Sequence, residues 1–118
     1  MIFDAGVFIA LETESKRRVI VAIVEQLKDE GNSLRTTDAA LAQAWRDPAR
    51  QVAMTRLLKA ADVLPFGDAK TIGSLCAATE TNDVVDADLA IWSQVLNDTI
   101  LTTDPKDMAK LEATHVSL

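Results

Sequence analysis

Short runs of β-forming residues alternate with longer helical segments along this chain, and that alternation constrains the fold more than any other feature. Met1-Ile2-Phe3-Asp4, Leu34 to Thr37, Asp62-Val63-Leu64-Pro65 and Thr99-Ile100-Leu101-Thr102-Thr103 read as short strands, with His115-Val116-Ser117 as a last edge strand. Ile20, Ile23, Val24 and Leu27 recur at helical spacing and predict a helix over Lys16 to Glu30, stopped by Gly31-Asn32. Gly6 is expected to permit a tight exit from the first strand, into a short helix or turn over Val7 to Glu12. Asp38 is expected to cap a helix through Arg46. Pro48 suits the first turn of another, with Met54, Leu57, Leu58 and Ala61 on one face. Asp68 to Thr79 reads as helical. After the Thr81-Asn82-Asp83 loop a helix is expected through Leu96, with Ala87, Ala90, Ile91 and Val95 inward. Lys106 to Glu112 reads as a last short helix. Strands and helices in this order imply an α/β sandwich, a parallel sheet covered on both faces.

The 118 residues suit a single domain spanning 1–118, and 48% hydrophobic content is enough for a core. Cys76, the lone cysteine, excludes an intrachain disulfide and reads as a buried thiol in an apolar stretch. No basic leader opens the sequence and no apolar run approaches a membrane span, so a cytoplasmic protein without a membrane partner is expected. The net charge of −6 argues against non-specific nucleic-acid binding. Its distribution is uneven: residues 1–60 hold nine Lys/Arg and eight Asp/Glu, while residues 61–118 hold three and ten.

Three of the acids occupy telling places. Asp4 follows the first strand, Asp104 follows the fourth, and Asp86 begins the helix leading into the fourth. Ligand sites in open parallel sheets gather beyond the carboxyl ends of the strands. Carboxylates packed together call for a cation, and oxygen ligands without His or Cys suit Mg²⁺ or Mn²⁺. Such a centre can activate water against a phosphodiester. Each acid also has a purely structural reading as a turn or helix cap.

Four segments carry a resemblance. Ile2-Phe3-Asp4-Ala5-Gly6-Val7-Phe8-Ile9-Ala10-Leu11-Glu12, Thr36-Thr37-Asp38-Ala39-Ala40-Leu41-Ala42-Gln43-Ala44-Trp45-Arg46, Asp83-Val84-Val85-Asp86-Ala87-Asp88-Leu89-Ala90 and Leu101-Thr102-Thr103-Asp104-Pro105-Lys106-Asp107 resemble, in order, the four motifs of the PIN-domain family and its VapC-type toxin ribonucleases. The resemblance implies a PIN-like three-layer sandwich with a central parallel sheet of about five short strands and helices on both faces. It implies Mg²⁺- or Mn²⁺-dependent RNA cleavage with Asp4, Asp86 and Asp104 as metal ligands. Asp83 and Asp107 lie nearby and could join through water. It further implies a homodimer paired with a VapB-type antitoxin. One position departs from the pattern: Gln43 stands where the family carries Glu. Gln supplies neither charge nor a general base, so metal binding should be weaker. Asp38, five residues earlier, would project from another helix face.

Thr103 is expected to place a hydroxyl near the site, and Thr36 or Thr37 to do the same; capping and β-propensity explain all three equally well. Lys16, Arg17, Arg18, Arg35, Arg46 and Arg50 could hold phosphates at the rim, or be solvated helical faces. His115 lies far from every motif. A weakened module that only binds antitoxin or RNA is the alternative that Gln43 raises. A dehalogenase-like phosphatase or a receiver domain fits poorly: Gly6 stands where the former needs a second Asp, and Val63-Leu64-Pro65-Phe66 lacks the acceptor Asp of the latter.

Overall fold

The computed structural model describes residues 1–118. Its elements run β1 (Ile2–Phe3), α1 (Ala5–Ala10), α2 (Glu14–Asp29), β2 (Leu34–Thr37), α3 (Asp38–Ala44), α4 (Val52–Leu58), β3 (Ala61–Leu64), α5 (Ala69–Thr79), α6 (Val84–Leu96), β4 (Ile100–Thr102), α7 (Pro105–Lys110) and β5 (His115–Ser117). The five strands form one sheet in the order β3-β2-β1-β4-β5, and every pairing is parallel. Helices flank the sheet on both faces, as the alternation implies. No helix is long and apolar enough to cross a membrane.

β1 has only two residues, yet it is the centre of the sheet. Ile2 and Phe3 are fully buried, because parallel strands under two helical layers have no solvent face. Phe3 packs at a tilt on Phe8 of α1, ring centres 5.9 Å apart. α2 turns Ile20 and Leu27 into the same core and ends before Gly31, whose φ of 71° breaks the helix. A second, smaller cluster joins Ile72 and Cys76 of α5 to Ala87 and Ala90 of α6 and to Leu111.

Several local expectations need correction. α1 starts at Ala5, not Val7, because Asp4 itself is the cap. α3 is capped by the Thr37 hydroxyl, which accepts from the Ala40 N–H, so Asp38 falls inside the first turn. Pro48 lies in a turn closed by Asp47, and α4 begins only after Gln51; Ala61 opens β3 and is not on α4. Val95 is 68% exposed, and Asp88, Leu89 and Ser93 take the inward positions on α6 beside Ala87 and Ala90. Arg35 cannot serve a site at the carboxyl ends: it pairs at 2.7 Å with Asp98, which lies beside the N-terminal amine at the amino ends of the strands. Burial alone would raise Asp98, but hydrogen bonds from the N-terminal amine and Arg35 hold it below the usual carboxylate range.

Candidate metal centre

The strand order reverses at β1. β2 and β3 lie on one side, β4 and β5 on the other, so the crevice beyond β1 and β4 is the switch point of the sheet. Asp4 leaves β1 there and caps α1, its Oδ1 accepting from the Val7 N–H at 3.0 Å. Asp104 leaves β4 there and caps α7, its Oδ1 accepting from the Asp107 N–H at 3.4 Å. Asp83 caps α6 by accepting from the N–H groups of Val85 and Asp86. The capping and the site-forming readings of these acids are therefore compatible. Each cap uses one carboxylate oxygen; the second oxygen of Asp4 accepts from Thr102 and Thr103, while those of Asp83 and Asp104 take no part in their caps.

Two of these caps are Asp-x-x-Asp boxes, Asp83 with Asp86 and Asp104 with Asp107. The second Asp of each sits in the first helical turn, where the helix dipole favours negative charge. The two boxes meet: carboxylate oxygens of Asp83, Asp86 and Asp107 lie within 4.8 Å of one another. The tightest group thus differs from the expected set of Asp4, Asp86 and Asp104, sharing only Asp86 with it. Asp4 stands close enough to raise Asp86, and Asp104 hydrogen-bonds Asp107.

The electrostatics follow from that crowding. Asp86 is pushed up to about 7, first by burial, then by the charge of Asp83 and a hydrogen bond shared with it, then by Asp107 and Asp4. Asp107 is raised mainly by the hydrogen bond with Asp104. Asp4, only 6% exposed, is raised by burial, against the pull of hydrogen bonds from Thr102, Val7, Thr103 and Gly6. Without a cation Asp86 keeps its proton until about pH 7; a divalent cation would compete with that proton. Oxygen donors alone suit a hard ion such as Mg²⁺ or Mn²⁺.

Thr102, not singled out from the sequence, is the hydroxyl that organises the crevice. It is fully buried, donates to Asp4 Oδ2 and accepts from the Asp104 N–H at 2.9 Å. Thr103 contributes its backbone N–H to Asp4 Oδ2 at 3.3 Å, while its side chain is exposed. Thr36 donates to the Phe3 carbonyl, and Thr37 is spent on its cap. Gln43 is exposed on α3 and forms no side-chain hydrogen bond.

Gly6 matters through close approach, not through an unusual turn. A Cβ there would lie 1.9 Å from Thr103 Oγ1 and 3.1 Å from its Cβ. Gly6→Ala would add about 1 kcal/mol of helix propensity to α1. The clash costs more, about 1–3 kcal/mol, since Thr103 must move with the loop that carries Asp104. Thermal melts should therefore show Gly6→Ala less stable than the parent by several degrees. A stabilised variant would mean that Thr103 swings aside freely.

No protein-family model matches the chain, and no curated protein is similar enough in sequence to count as a relative. Among solved structures, the crystal structure of PAE2754 from Pyrobaculum aerophilum matches with a TM-score of 0.70 at 15% identity, over 97% of this chain and 81% of that one. At that identity the match speaks to the fold alone.

Proposed function

We propose that this chain is a divalent-cation-dependent endoribonuclease, a PIN-domain protein of the VapC toxin type. One observation carries the reading: two Asp-x-x-Asp helix starts and the Asp ending β1 converge at the switch point, with three carboxylates inside 4.8 Å. Such a cluster is costly for a fold unless a cation uses it. The bound ion would polarise the phosphoryl oxygen and activate water. Water adds to phosphorus, the bond to one ribose oxygen breaks, and that oxygen leaves with a proton. Asp4, Asp86 and Asp104 hold the ion in this reading, with Asp83 and Asp107 completing its shell directly or through water. By the same resemblance the partners are RNA, a second copy of the chain and a VapB-type antitoxin, in the cytoplasm.

The test is Mn²⁺ titration with cleavage of a structured RNA as readout. Cleavage should require the metal and be abolished in Asp4→Asn. Metal-independent cleavage, or full activity of that variant, rejects the reading. Gln43 supports a second one, a PIN-like module that binds antitoxin or RNA with little catalysis, because it is uncharged where the resemblance calls for Glu. Gln43→Glu separates the two. A gain of tenfold or more in metal affinity and rate, about 1.4 kcal/mol, marks a missing ligand. No gain, with no cleavage by the parent chain, favours the binding role.

A further inference from the structure

A protein of net charge −6 repels polyanions over most of its surface. One cleft, of about 410 Å³, differs: Arg17, Arg46 and Arg50 open onto it above Phe8 and Met54, with Glu12 as the acid on its rim. The three arginines come from separate places. Arg17 belongs to α2, and the other two flank the turn before α4. Gln51 brings that pair together. Gln51 is 4% exposed, and its side chain accepts from the N–H groups of Arg46 and Asp47 and donates to the Ala44 carbonyl. The turn it closes returns the chain, so Arg46 and Arg50 share a cleft although no continuous helix joins them.

The guanidinium groups are held without being neutralised. Arg17 donates through Nη1 to the Leu11 carbonyl at 3.1 Å, and Arg46 donates through Nη1 to the carbonyls of Ala42 and Trp45. A carbonyl tether orients the fork and leaves its charge and remaining N–H groups for a ligand. The carboxylate nearest Arg50 is Asp47 at 3.9 Å; both side chains are well exposed, so the pair is weak.

We propose that this cleft binds backbone phosphates of single-stranded RNA; the choice of RNA rests on the ribonuclease reading above. Planar forks match phosphate oxygens two at a time. Phe8, which lines the cleft, lies one turn beyond Asp4 on α1, so that helix joins the cleft to the first of the acids. Phe8 is itself fully buried and offers no ring face for a base. The cleft therefore grips backbone and is indifferent to sequence.

The test is binding of a fluorescent oligouridylate to the full chain in EDTA, followed against salt, so that cleavage plays no part. Arg46→Ala/Arg50→Ala should weaken binding about tenfold at low salt and flatten the slope of log K against log salt by about 1.4. Arg46→Lys/Arg50→Lys should keep most of the slope, and Arg50→Glu alone should weaken binding more than Arg50→Ala. Melting curves establish that each variant is folded. Unchanged affinity and slope in the alanine variant overturn the proposal. So does an oligoglutamate that competes as strongly as the RNA, which assigns the cleft to an acidic peptide. A protein that binds as described but never cleaves with Mn²⁺ refutes the nuclease reading alone; one that cleaves while the alanine variant binds normally refutes only the cleft.

Discussion

Asp86→Asn is expected to abolish Mn²⁺-dependent cleavage and, in the same molecule, to stabilise the metal-free protein at pH 8. Both effects follow from one crowded carboxylate. Asp86 is raised to about 7 in the folded state, from an ordinary value near 3.8, by burial and by the charges of Asp83, Asp107 and Asp4. The unfolded chain releases this proton near pH 4, whereas the folded protein keeps it until about pH 7. Across that window the folded state binds more protons, so stability falls as pH rises and levels off above about 7. Asp4, Asp88 and Asp107 are shifted in the same direction and deepen the fall. Asp68 and Asp98 are shifted downward, so their contribution is lost only on the acid side, as pH falls below about 4. After discounting for partial exposure, the Asp86 penalty at pH 8 is on the order of 2 kcal/mol. Its removal should raise the melting temperature by roughly 5–10 °C. Mn²⁺ should stabilise the parent chain more at pH 8 than at pH 5, and the variant hardly at all. Thermal melts at both pH values, with and without Mn²⁺, check this. A parent chain whose metal-free stability rises between pH 5 and 7 would refute the account.

The same trade explains how much of this site the sequence discloses. β2 and β5 are found at their expected bounds, because β-rich runs between helix signals are unambiguous. The start of α1 is not, since Asp4 is strand end and helix cap at once, and a two-residue strand has no periodicity to show. Val95 was expected inward on α6, yet the buried face carries Asp88 and Ser93. Polar residues satisfied or sheltered inside a helix packing face defeat a hydrophobic pattern. The acids were legible as strand ends and helix starts. Which of them touch depends on how α6 and α7 dock, and that is a tertiary fact. Two Asp-x-x-Asp boxes were the available signal for Asp83 and Asp107. The pairing of Arg46 with Arg50 was obscured by Pro48, because the turn that restores it depends on the buried side chain of Gln51.

Thr102→Val is expected to reduce both stability and cleavage, while Thr103→Val should do little. The two threonines are adjacent, and strand propensity does not distinguish them. In the fully buried strand β4 neither alternation nor polarity marks the inward residue. Geometry does: Thr102 is fully buried between Asp4 Oδ2 and the Asp104 N–H, and Thr103 is exposed. Valine keeps the shape and removes the hydroxyl. Asp4 Oδ2 then retains only the longer bond from the Thr103 N–H, at 3.3 Å, in a site nearly sealed from water. Losing one donor to that buried carboxylate, and the acceptor of the Asp104 N–H, costs about 1–3 kcal/mol, enough to lower the melting temperature by several degrees. Losing that donor also lets Asp4 rise further, so it would ionise less readily and give up part of its hold on a cation. Cleavage in Mn²⁺ should fall about tenfold or more, with the loss greatest at low pH, where Asp4 is hardest to ionise. Thr102→Ser, which keeps the hydroxyl, should recover most of the activity. If Thr103→Val were inactive and Thr102→Val unaffected, the hydroxyl serving the centre would be the one expected from the sequence, and the buried bridge between Asp4 and Asp104 would have no part in it.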